Sequence, residues 1–129
     1  MHAIRSRLIQ HQVPLNPSFN AIQVVSALAH LEASHLIIST ESNLPRKDPR
    51  SNIPLLQHLI PDLSKTRIES ELVPSLKSII SVDNSSGRVN TSNFNCLKAY
   101  NSLTSDATFD KSPLPPRNLS PTDIVNIQF

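Results

Sequence analysis

Val13–Ser39, VPLNPSFNAIQVVSALAHLEASHLIIS, reads as a turn, an amphipathic helix, a short link and a strand. Pro14 and Pro17 push the residue before each toward extended backbone, so no helix runs through the opening. Asn20 is placed to cap a helix, and Gln23, three residues on, supplies the other half of a capping box. Val24, Val25, Leu28 and Leu31 then fall at i, i+1, i+4 and i+7, along one helical face. After Ala33 that period breaks, and Leu36, Ile37 and Ile38 form a continuous apolar run. Such a run predicts a strand buried on both faces, as in a parallel sheet covered by helices. The fold class expected from this stretch is α/β.

The chain has 129 residues, enough for one domain with a core but not for two. Its net charge of +2 and pI of about 9.0 are mild, and the charges are scattered rather than gathered in a stripe, which gives a nucleic-acid role little support. One glycine stands among eleven prolines. A complete nucleotide site usually needs several glycines where backbone approaches phosphate, so the phosphate-binding part is expected to be absent. Cys96 is the single cysteine, which excludes a disulfide framework and a multi-thiolate metal site. No apolar run approaches the roughly 18 residues of a membrane span.

Met1–Gln12 is basic at Arg5 and Arg7, and no acidic residue precedes Glu32. It reads as an N-terminal tail, with a mitochondrial targeting peptide as the functional alternative. Glu41–Asn52 is a polar, proline-interrupted loop. Its Arg46, Lys47 and Arg50 surround Asp48, a pattern of a solvated loop rather than an anion patch. Ser51 is placed to cap a short helix with Pro54 in its first turn and a stripe of Ile53, Leu56, Leu59 and Ile60, ended by Pro61. His58 on that helix is a surface or packing residue. Ser64–Glu71, with alternating charges, is a solvent-facing segment. Ile79, Ile80 and Val82 predict a second buried strand that stops at Asp83-Asn84, with Gly87 in the following turn. Phe94, Leu97 and Tyr100 predict one more short helix, on which Cys96 is a packed thiol. Thr104–Ser120 is a Pro-rich linker; its P-x-x-P at Pro113 and Pro116 reads as loop rather than as a polyproline ligand. The Asn-x-Ser/Thr matches at Asn84, Asn90 and Asn118 are expected by chance in a Ser- and Asn-rich chain. Ile124–Phe129 is a β-rich run after a Ser120-Pro121-Thr122-Asp123 turn.

Three of these stretches, in this order, resemble the adenylate-forming (AMP-binding) superfamily, acyl-CoA synthetase branch, fungal type. Val13-Pro14-Leu15-Asn16-Pro17, with Phe19 and the helix and strand that follow, is similar to the opening of the family's large N-terminal domain. Leu72–Asp83, LVPSLKSIISVD, resembles its next strand. Leu119–Phe129, LSPTDIVNIQF, resembles the turn and strand that immediately precede the family's Ser/Thr/Gly-rich phosphate loop. The resemblance covers residues 13–129 and leaves 1–12 as a divergent tail, where the family has a small-residue-rich lead-in.

The resemblance implies an incomplete Rossmann-like parallel-sheet subdomain, part of an AMP-binding domain at 13–129 with the linker at 104–120. It also implies a family reaction: ATP- and Mg²⁺-dependent adenylation of a carboxylic or fatty acid, then thioester formation with coenzyme A. The family's catalytic motifs follow the segment matched here, so no catalytic, cofactor-binding or metal residue is carried over. This chain alone is expected to be inactive and to hold none of those cofactors. No Ser-His-Asp, paired-carboxylate or paired-histidine arrangement stands out either. The alternative is a non-catalytic interaction module derived from the fold. An incomplete sheet is expected to expose edges and apolar faces and to self-associate. The setting expected is intracellular, cytoplasm or peroxisome, with a mitochondrial address as the weaker option.

Overall fold

The computed structural model describes residues 12–104 and 120–122. Its chain divides into two compact units, Pro17–Phe109 and the combination of Met1–Asn16 with Asp110–Phe129. In the latter, Pro121-Thr122 forms the turn expected there, with the Ser120 and Thr122 hydroxyls 2.8 Å apart. The expected strand at Ile124–Phe129, the tail up to residue 11, the linker through residues 105–119, its P-x-x-P and Asn118 lie outside the described residues.

Among the described residues, all helices and strands belong to the larger unit. Helix α1 (Ala21–His30) starts at the predicted capping box. Asn20 Oδ1 accepts from the Gln23 N–H at 2.9 Å, and Gln23 Oε1 accepts from the Asn20 N–H at 2.9 Å. Two of the four N–H groups a helix start leaves without partners are answered in this way. The helix closes in a Schellman pattern, Glu32 N–H to Ala29 O at 3.1 Å and Ala33 N–H to Leu28 O at 3.0 Å. The left-handed residue that this closure needs is Glu32, with φ +49°, where other proteins most often use glycine.

Strand β1 (His35–Ser39) follows, then a two-residue antiparallel ribbon of β2 (Glu41–Ser42) and β3 (Arg50–Ser51). Next come α2 (Ile53–Leu59), β4 (Ser78–Val82), β5 (Leu97–Ala99) and the short α3 (Tyr100–Thr104). Strands β1, β4 and β5 form a parallel sheet in that order, with Leu36 beside Ile79 and Ile79 beside Leu97. The molecule is therefore mixed α/β with a small parallel sheet. The buried apolar residues are Leu36 and Ile79 from the sheet, Val24, Ala27 and Leu28 from α1, Leu56 and Leu59 from α2, then Ile60, Leu63, Val73, Leu76 and Cys96.

Four expectations need correction. Glu41–Asn52 is not all loop: its ends pair as β2 and β3, with Glu41 beside Ser51 and Ser42 beside Arg50, because cross-strand backbone pairing is not visible in a polar, proline-interrupted stretch. The β1 run is buried on one face only. Leu36 is buried, but Ile37 is 67% exposed. Register partners in a sheet point the same way, so Ile37, Ile80 and Lys98 share the opposite face, where Ile80 is half-buried and Lys98 exposed. Apolar content alone does not report whether a second layer is present. Leu97 lies in a strand, not a helix: β4 offers an open edge, and pairing Leu97–Ala99 there satisfies backbone groups that local helical spacing does not foresee. The cap position of α2 is Asn52 rather than Ser51, and it makes no side-chain cap bond. Ser51 Oγ still accepts from the Ile53 N–H at 3.2 Å. The rest of α2 is as expected: Leu56, Leu59 and Ile60 are buried, His58 is exposed, and Ile60 is extended before Pro61.

Candidate functional site

Open parallel sheets bind ligands beyond the carboxyl ends of their strands, which makes the ends of β1 and β4 the place to look. A dense polar cluster stands there. The ladder runs one step past both strands, with Thr40 N–H donating to Val82 O at 3.0 Å. Thr40 Oγ1 lies 3.1 Å from Oδ1 of both Asp83 and Asn84. The Asn84 carboxamide then takes over the role of backbone: its Oδ1 accepts from Glu41 N–H and its Nδ2 donates to Glu41 O, each at 2.9 Å. One side chain thereby prolongs the pairing of two chain segments.

Asp83 organises the turn behind it. Its Oδ1 accepts from Ser85 N–H at 2.9 Å and Ser85 Oγ at 2.7 Å, and its Oδ2 accepts from Gly87 N–H at 3.2 Å. The Ser85 hydroxyl, Ser85 backbone, Thr40 and Gly87 contacts hold this carboxyl below its ordinary pKa, the hydroxyl contributing most. Ser85 is fully buried and also accepts from Val89 N–H at 3.0 Å. Ser86 and Gly87 both take positive φ, +55° and +82°, in this turn. Arg88 closes the cluster, donating from Nη2 to Glu41 Oε2 at 2.8 Å and from Nε to Ser85 O at 3.0 Å. On the other flank, Asn52 donates to Ser39 O at 2.8 Å and accepts from Ser42 Oγ at 2.9 Å. That bracing explains why Asn52 does not cap α2.

Many of the cluster's polar groups are spent on one another. Among the described residues no buried side-chain nitrogen or oxygen lacks a partner. The N–H groups of Glu41, Ser85, Gly87 and Val89 donate to Asn84, Asp83 and Ser85. None of the described imidazoles joins the cluster: His30, His35 and His58 are exposed elsewhere, and no described group of three or more His, Cys, Asp or Glu residues is arranged to hold a metal. Cys96 is buried, and burial raises its thiol pKa, which keeps it in the unreactive form.

Arg46, Lys47, Asp48 and Arg50 are all exposed, as a solvated loop requires, and Arg50 donates to Phe19 O at 3.3 Å. Asn84 spends its carboxamide on Glu41, whereas Asn90 is exposed and accepts from Ser92 N–H at 2.9 Å. Among the described residues no helix is long and apolar enough to cross a membrane. The sequence reading singled out none of Thr40, Glu41, Asp83, Ser85 or Arg88 as a cluster. Asp83–Gly87 is a visible turn signal, but its partners lie more than 40 positions away.

No family model, no curated protein and no solved structure matches the chain.

Proposed function

We propose that this chain is framework from an adenylate-forming enzyme of the acyl-CoA synthetase branch, and that alone it neither adenylates a carboxylate nor forms a thioester. The observation that carries this reading is the order of two sequence signatures, Val13–Pro17 with its capped helix and strand, and Leu119–Phe129. The parallel order of β1, β4 and β5 is compatible with a Rossmann-like layer between them. The strand-end cluster supports the proposed inactivity. A triphosphate needs unengaged N–H donors and positive charge. Here the donors are taken, and the carboxylates of Asp83 and Glu41 stand among them.

The test is a thermal melt with and without millimolar ATP–Mg²⁺. A ligand that binds only the folded state stabilises by about 2.7 kcal/mol at a hundred times its dissociation constant. An unmoved melt is expected, and a clear upward shift overturns the proposal.

A second reading, a non-catalytic interaction module, is favoured by the uncovered apolar face at Ile37. Sedimentation separates the two: the framework reading expects concentration-dependent self-association, and a monodisperse monomer favours the module.

A further inference from the structure

We draw no further inference here: the strongest candidate, the uncovered sheet face that carries Ile37 and Ile80, is an unpartnered apolar patch, and nothing in the structure shows what covers it.

Discussion

Asn84 does with one carboxamide what a strand residue does with its main chain, donating and accepting on the same neighbour, Glu41. Truncation removes these two bonds and the Thr40 contact at an exposed site, so Asn84→Ala is expected to cost about 1–2 kcal/mol, read as a lower urea midpoint with unchanged slope. Asn84→Asp keeps an acceptor for Glu41 N–H but loses the donor to Glu41 O, and adds charge beside Asp83. At pH 7 it is expected to be at least as destabilising as alanine. Asp83 supplies a pH dependence. Its folded pKa lies below the unfolded value of about 3.9. The carboxylate therefore contributes stability that is complete above that value and is lost as pH falls through the folded pKa. Asp62, depressed chiefly by the Ser64 hydroxyl, acts in the same direction. Urea midpoints measured from pH 6 to pH 2 are expected to fall less steeply in Asp83→Asn than in the parent. Equal slopes would remove Asp83 from the acid limb.

At the scale of elements, α1 shows how local rules suffice at one helix end and meet a cost at the other. Its start is built from Asn20 and Gln23, neighbours three apart, and forms as the sequence dictates. Its end places Glu32 in the left-handed region, where a Cβ is unfavourable by about 1–2 kcal/mol. Glu32→Gly relieves that strain but loosens the unfolded chain, so a net gain of about 0.5–1 kcal/mol is expected in the melting curve. Helix α2 is held by burial instead. At seven residues it is too short to persist alone, and Leu56 and Leu59 are almost wholly buried. Leu56→Ala is expected to cost about 2–5 kcal/mol, a large share of the 5–15 kcal/mol of an ordinary domain. Far-UV circular dichroism during urea titration reads that loss directly.

For the whole molecule, the asymmetry of the sheet matters most. Parallel sheets ordinarily carry layers on both faces; here one face meets the core, while the other presents a largely exposed Ile37. Ile37→Lys removes apolar surface without opening a cavity. Its stability is expected to stay within about 0.5 kcal/mol of the parent, while sedimentation shows weaker self-association. A variant that unfolds would show that the residue is covered in solution. The strand-end cluster has a related meaning at this scale. Its mutual hydrogen bonds tie the end of β1 to the turn that follows β4.

The sequence by itself determined the turn before α1, its capping box and its apolar stripe, the positions of β1 and β4, the core side of α2 and the exposure of Arg46, Lys47, Asp48 and Arg50. These depend on neighbours within a turn of helix or on a short apolar run along a strand, and such patterns are written in consecutive residues. The tertiary structure alone decided which face of β1 is covered, that Leu97–Ala99 pairs with β4 rather than coiling, and that Asn52 braces Ser39 and Ser42 instead of capping. It also brought Thr40 and Glu41 to Asp83, Asn84 and Arg88. Those outcomes rest on contacts between residues as much as 47 positions apart. Their free energy depends on what the folded chain has already placed beside each group, and no local pattern encodes that.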